Sequence, residues 1–409
     1  MSASLKANGF QDVSLIDLRE LSSWREYSER LQSLKPDFIG VTSNSIDRQF
    51  VFEAVNIAKQ VLPTAKVVVG GPDVVVAKSL YMDNNNIDHV VYGEGEISFL
   101  KLVKGEVAPK LVIGEKPDLD TLPFPDYDLF NLKNELALHM IPGMASPSMS
   151  ITNSRGCPFK CTFCQPTESK LYGKVRVRGA ERTVQEIKLL QSKYGIKSIS
   201  FVDDCLLSYP KWVEDFSNCL IKNGVQLEWM ILGRTNSVGL NERTLSLASK
   251  AGLYCVMFGV ESGSDRVLEF LNKRTKVEDA YKANEICKRF GIKFWMNMIV
   301  GLPTETEEEM WMTKKLIEDL QPFHVAPNIY APVPGTYLYD YCVSNDLVLP
   351  SSKFRRDLDA ENIKGVNYTV ARQVVDYALQ FSGNRFYPAR AHHSLVGKAK
   401  RLVRRFLHD

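Results

Sequence analysis

Cys157, Cys161 and Cys164 stand within eight residues of one another in the stretch SRGCPFKCTFCQP, Ser154 to Pro166. Their spacing is C-x3-C-x2-C, with Gly156 before and Pro158 after the first cysteine, and such a loop can curl three thiolates toward one centre. Structural zinc takes four closed ligands, usually from two separated pairs, and neither a second pair nor a nearby histidine completes such a set here. Thiolate-only ligation with one position missing suits a 4Fe-4S cluster instead, three irons being held by the protein while the fourth stays open to a substrate. The remaining cysteines (Cys205, Cys219, Cys255, Cys287 and Cys342) are scattered through apolar or helical contexts and read as ordinary buried thiols.

The cysteines need a scaffold, and the chain carries the pattern of one. From Val13 to about Leu102, β-branched runs (VSLID, DFIGVTS, KVVVGG, DHVVYG) alternate with amphipathic stretches at Trp24–Leu34, Phe50–Leu62 and Ile97–Val103, which predicts an α/β domain with a doubly wound, Rossmann-like parallel sheet. Its opening, SLKANGF, reads as the end of a helix capped by Asn8-Gly9, so the first strand of such a domain is expected to be missing. Residues 1–114 form this domain, and the proline-bearing stretch 115–148 reads as a linker. Strands are then expected at Ser150–Asn153, Ser198–Asp203, Leu227–Leu232, Tyr254–Gly259, Lys293–Val300 and Val325–Tyr330, most of them separated by helix-length segments. Six βα units are too few for a closed eight-fold barrel, so residues 149–345 predict a partial (β/α)6 TIM barrel whose chemistry lies at the strand C-termini. Residues 346–409 read as a separate, mostly helical C-terminal region.

Composition narrows the function. With 51 basic residues against 48 acidic ones the net charge is +3, which gives no case for bulk nucleic-acid binding. No apolar run approaches the roughly 18 residues of a membrane span, and the opening residues lack a leader's apolar core, so a cytoplasmic protein is expected.

CPFKCTFC after the first strand of a partial barrel resembles the signature of the radical S-adenosylmethionine (SAM) superfamily, C-x3-C-x-aromatic-C, with Phe163 as the aromatic. The resemblance implies a 4Fe-4S cluster on the three cysteines, SAM on the open iron, and cleavage of SAM to a 5′-deoxyadenosyl radical. The other strand ends carry groups that suit SAM. Asp203 and Asp204 offer carboxylates to an ammonium or to ribose hydroxyls, with a helix cap as the bland alternative. Arg234 is placed to meet the SAM carboxylate in fork geometry, or else is a surface arginine. Glu261 and Ser262, in FGVESGSD, match positions that contact the ribose or the methionine end, and the competing role is a capping turn with Ser264 as N-cap. Gly301 and Leu302, in IVGLPTET, resemble the adenine-side loop. Cys205 could donate a hydrogen atom, although a buried structural thiol is the plainer reading.

The N-terminal domain followed by this barrel resembles the cobalamin-binding branch of the superfamily, including its GEGE turn and an LPFPDYDL linker. That resemblance implies cobalamin contacts at Ser43, Ser45, Gly70, Gly71, Gly93, Glu94 and Gly95. The D-x-H-x-x-G motif, which supplies an axial histidine, is absent, and a remnant domain that only packs on the barrel is the alternative to retained cobalamin binding. The implied function is C-methylation of an unactivated carbon in a small-molecule or lipid-like substrate, with electrons from a donor such as flavodoxin or ferredoxin. Cobalamin-independent cyclisation or rearrangement, and a non-catalytic cobalamin or iron-sulfur binding protein, are the rival functions. Residues 394–407 form a basic amphipathic pattern that suits either an anionic membrane surface or ordinary packing on the barrel.

Overall fold

The computed structural model describes residues 1–132, 136, 141–352 and 358–382 of the chain. They fall into two compact units, one built from Met1–Phe130 and Thr167–Gly173, the other from Asn131–Pro166 and residues 174–382.

In the first unit, β1 (Phe38–Thr42), β2 (Lys66–Gly70), β3 (His89–Tyr92) and β4 (Leu111–Ile113) pair in that order, all parallel. Alternate residues of β2 serve opposite faces. Val67 and Val69 pack with Tyr27, Leu31 and Val55, from the helices Trp24–Leu34 and Arg48–Val61, whereas Val68 packs with Leu5, Phe99 and Leu102, from the helices Ser2–Ala7 and Glu96–Val103. Burial on both faces explains why the valine run is continuous instead of alternating. The opening helix does end at Asn8, with Gly9 at φ 94°, and the linker residue Asp126 holds it through Lys6 at 2.7 Å and Ser2 at 2.6 Å.

Two expectations for this unit are corrected. Val13–Asp17 is not a strand: Val13 packs on one face's cluster and Ile16 on the other's, so its apolar alternation serves two separate cores and no ladder. The strand β4, by contrast, escaped notice because three residues carry too little pattern.

In the second unit, β5 (Ser148–Ile151), a two-residue antiparallel pair β6 (Ser154–Arg155) and β7 (Arg176–Val177), then β8 (Ser198–Phe201), β9 (Glu228–Gly233), β10 (Leu253–Glu261), β11 (Lys293–Val300) and β12 (His324–Ile329) follow in sequence. The six main strands form one parallel sheet in the order β12-β11-β10-β9-β8-β5, the open partial barrel expected from the repeats. Phe201, Phe216 and Trp229, all fully buried, pack edge to face against one another and hold the helix Pro210–Lys222 on β8 and β9. Because every main connection crosses over to a parallel neighbour, the loops after these strands gather at one end of the sheet.

The C-terminal region is not separate, as far as the described residues go. The helix Tyr368–Ser382 ends with the Ser382 hydroxyl bonding both the N–H and the C=O of Val325 on β12, each at 2.8 Å. Residues 394–407 lie outside the described residues.

Candidate functional site and its cofactor residues

The cysteine loop has little regular structure, so other elements must supply its backbone partners. At its start, the Asp203 carboxylate after β8 accepts the N–H of Asn153 at 2.9 Å, the N–H of Ser154, and the Ser154 hydroxyl at 2.5 Å, all on Oδ1. Further along, Thr162 N–H donates to the Leu271 carbonyl at 3.0 Å and the Asn272 amide to the Lys160 carbonyl at 2.7 Å. From the other side, Leu338 N–H reaches the Thr162 carbonyl at 2.9 Å and Tyr337 N–H the Gln165 carbonyl at 2.8 Å. Inside the loop, Cys164 and Gln165 both donate to the Cys161 carbonyl, making a tight turn between the second and third cysteines.

The three thiols differ in setting: Cys161 is buried, Cys157 half-buried and Cys164 exposed. Burial pushes the Cys157 thiol up to about 12, so it is a protonated thiol at neutral pH until a metal takes the proton's place. Among the described residues no group of three His, Cys, Asp or Glu side chains is arranged to hold a metal ion. A 4Fe-4S cluster asks something different, one thiolate for each of three irons.

Around the loop the side chains sort themselves clearly. Arg234, past β9, is 4% exposed; its Nη1 lies 3.4 Å from Cys161 Sγ, and its guanidinium stacks 3.9 Å from the centre of the Phe159 ring. Its Nη2 is buried without a partner. Glu261 sits at φ 70°, just past a register shift in β10, and its carboxylate takes Lys273 Nζ at 2.7 Å in a buried ion pair. Lys273 Nζ also lies 5.8 Å from the centre of the Phe163 ring, which links the pair to the cysteine loop. Gly259 leaves room for the pair, since a Cβ would stand 2.5 Å from Glu261 Oε1 and 2.7 Å from Lys273 Nζ and would push these side-chain ends aside. Sequence reasoning missed Lys273: it lies in a loop, twelve residues beyond its partner, with no periodicity to mark it.

Leu302 is fully buried in one apolar cluster with Phe163, Val267 and Leu271, and Gly301 before it turns at φ 72°. Glu305, also missed, closes this turn by accepting from Leu302 N–H at 3.1 Å, while its other oxygen is buried without a partner. Not every expected contact converges. Asp203 has committed Oδ1 to the loop backbone, and burial raises its carboxyl to about 6; Asp204 is exposed. Ser262 is buried against the helix Glu307–Leu320, 3.4 Å from the Thr313 hydroxyl, and Ser264 is the N-cap of Asp265–Phe270. Cys205 is buried, with Sγ 3.0 Å from the Ser208 hydroxyl.

In the first unit, the expected cofactor residues lie at the C-terminal edge of the sheet, at the end of β2 (Gly70) or just after β1, β2 and β3. Ser43 and Ser45 are fixed by a residue the sequence did not flag, Asp73. This fully buried carboxylate takes the Ser45 hydroxyl at 2.5 Å, Tyr81 OH at 2.5 Å, and Arg48 through Nε at 2.6 Å and Nη2 at 2.7 Å; Tyr81 OH in turn lies 2.6 Å from Ser43 Oγ. Gly71, at φ 102°, allows the loops to touch, since a Cβ would sit 2.7 Å from the Ser43 carbonyl oxygen and 2.8 Å from its nitrogen. Gly70 is under no such constraint. Gly93, at φ 111°, Glu94, which is buried, and Gly95 lead into the helix Glu96–Val103.

Residues 151–317 match the family model of the radical SAM superfamily, and residues 1–103 match that of the B12 binding domain. An uncharacterized methyltransferase of Pyrococcus horikoshii is 32% identical over 361 residues, covering 83% of this chain and 76% of the relative. The chain belongs to the radical SAM superfamily, in the branch that carries a B12-binding domain. This radical SAM protein is also 29% identical to the anaerobic magnesium-protoporphyrin IX monomethyl ester cyclase of Rubrivivax gelatinosus, spanning 83% of this chain but 64% of the cyclase. Its fold is that of the radical SAM methyltransferase TsrM from Kitasatospora setae, with a TM-score of 0.66, 15% identity, and coverage of 86% of this chain and 72% of the other. A 4Fe-4S cluster, SAM and cobalamin are the cofactors that these two domains imply. The donor set fits the first two: three thiols on one clamped loop, and beside them a buried guanidinium with an orphan N–H that suits an anion. Among the described residues no helix is long and apolar enough to cross a membrane.

Two predictions test this geometry. Asp73→Ala, which strands Arg48 and frees both serines, is expected to cost about 2–4 kcal/mol in denaturant unfolding; a loss below about 0.5 kcal/mol, the scale of a surface substitution, would show that Asp73 is no hub. Burial raises Glu305 to about 8 from an ordinary 4.5. The folded protein therefore keeps a proton that the unfolded chain releases, and this group's contribution to stability falls as pH rises from about 4.5 to about 8. Glu305→Gln should remove that slope, so its stability relative to the parent improves by a few kcal/mol, in order of magnitude, between pH 5 and pH 8. Equal differences at both pH values would contradict it.

Proposed function

We propose that this protein is a cobalamin-dependent radical SAM methyltransferase that methylates an unactivated carbon of a small-molecule substrate. Cys157, Cys161 and Cys164 hold the cluster, and Phe163, backed by the buried Leu302, supplies the apolar wall on which the adenine rests. Arg234 receives the SAM carboxylate through its unpartnered Nη2; Glu261, held by Lys273, faces the ribose or ammonium. Asp203 positions the cysteine loop, and its free oxygen remains for an ammonium. The loops bearing Ser43, Ser45, Gly71 and Gly93 to Gly95 cradle the cobalamin, and Asp73 keeps them in place. When bound, the cluster with SAM supplies a hydrogen-abstracting radical and the cobalamin supplies the methyl group.

The observation that carries this reading is the buried Arg234 guanidinium against the sulfur of Cys161, with one N–H left over. A structural metal knot has no use for a buried cation with spare bonding capacity, whereas an anionic cosubstrate on an open iron does. A flavodoxin- or ferredoxin-type donor supplies the electron. The similarity to a cyclase favours one second reading, ring formation by the same radical without methyl transfer.

Product analysis separates them. The protein reconstituted with iron, sulfide and hydroxocobalamin, and given SAM and a strong reductant under anaerobic conditions, is expected to form both 5′-deoxyadenosine and S-adenosylhomocysteine. 5′-Deoxyadenosine alone would move the function to the cyclase reading, and neither product would overturn both. Cys161→Ala should retain less than a tenth of the parent's iron and form no 5′-deoxyadenosine.

A further inference from the structure

Arg234 bears on the cluster as well as on its cosubstrate. Its guanidinium is held on two sides, by Nη1 at 3.4 Å from Cys161 Sγ and by the Phe159 ring at 3.9 Å, while the backbone N–H of Arg234 donates to the Ser237 hydroxyl at 2.9 Å. Its remaining polar neighbour, Asn236 Oδ1 at 3.5 Å from Nε, is neutral. Among the described residues no carboxylate pairs with it. Elsewhere by the loop, Glu261 and Lys273 neutralise each other at 2.7 Å, the buried Asp203 carboxylate is taken up by the Asn153 and Ser154 N–H groups and the Ser154 hydroxyl at the loop's entry, and Asp204 is exposed on the Cys157 side. Arg234 is thus a buried cation within hydrogen-bond reach of a cysteine sulfur, with no carboxylate paired to it among the described residues.

Resting on the reading that the three cysteines hold a 4Fe-4S cluster, we propose that Arg234 is a positioning residue that sets the cluster's reduction potential, by donating a charge-assisted hydrogen bond to the Cys161 sulfur and by placing a fixed positive charge beside it. Adding an electron makes the cluster more negative. A nearby cation in a low-dielectric setting favours that state, and an N–H donated to a ligating sulfur withdraws electron density in the same direction. Phe159 contributes by holding the guanidinium plane against its face, which keeps one N–H aimed at the sulfur. The arrangement raises the potential and eases reduction by the donor before SAM arrives.

The test is an EPR-monitored redox titration of the full chain, reconstituted anaerobically with iron and sulfide alone, so that neither SAM nor cobalamin contributes. Arg234→Met keeps length and burial but removes the charge; Arg234→Lys keeps the charge and loses the stacked fork. Phe159→Leu leaves the arginine in place but unclamped. The Met variant is expected to shift its oxidised-to-reduced ratio at least tenfold toward oxidised, a midpoint lower by about 59 mV for a one-electron couple. The Lys and Leu variants should shift in the same direction by less. A Met variant that carries the parent's iron and titrates at the parent's potential would overturn the proposal. Should the Met variant fail to load iron, the Lys and Leu variants decide: parent potentials in both overturn it, and lowered potentials support it. A parent protein that takes up no four-iron cluster would instead overturn the reading of the cysteines.

Discussion

The hydrogen bonds that clamp the cysteine loop are the constraint on which the rest of the second unit depends. Three thiolates that must each meet a separate iron cannot be left on a free loop, because each floppy residue would lose conformational entropy on binding. Here the ordering is already done by the fold. Asp203 fixes the loop's entry to the end of β8, Leu271 and Asn272 hold its middle, and Tyr337 and Leu338 hold its exit. These anchors come from distant parts of the chain, so the half-barrel must be assembled before the cysteines are in register. Iron is expected to find a formed site.

The same economy of polar groups shapes the surroundings. Burial disfavours charge, and Asp203 and Glu305 respond by holding protons more tightly than ordinary carboxyls, while Glu261 and Lys273 respond by pairing. Arg234 does neither. Its orphan N–H is a buried donor with capacity to spare, which suits an anionic ligand. In the first unit the parallel case is Asp73, buried but fully engaged, which ties the loops after β1 and β2 together through Ser45, Arg48 and Tyr81.

Much of this was readable from the amino acids. The alternation of β-branched runs and amphipathic helices placed all six main barrel strands to within a few residues, since long parallel units carry strong patterns; Lys293–Val300 matches to the residue. The cysteine spacing pointed to its chemistry because local spacing survives in one dimension. What was not readable depends on contacts far apart in sequence. Lys273, Asp73 and Glu305 are ordinary charged residues in loops or at helix starts, and only the fold shows that each meets a buried partner. Val13–Asp17 misled because alternating apolar residues also suit a segment that straddles two cores. Asp203 and Asp204 looked alike in sequence, yet one is buried and the other exposed, a difference that strand direction creates and composition cannot express.

The central claim is that one chain holds an open four-iron cluster on the clamped loop and a cobalamin on the first unit. The most direct measurement is the iron and cobalt content per chain after anaerobic reconstitution with iron, sulfide and hydroxocobalamin and removal of everything unbound. About four irons and one cobalt per chain are the result predicted from the family's cofactors. Iron at that level with no cobalt would contradict the role of the first unit, and a single tightly held metal ion with no sulfide would contradict the cluster itself.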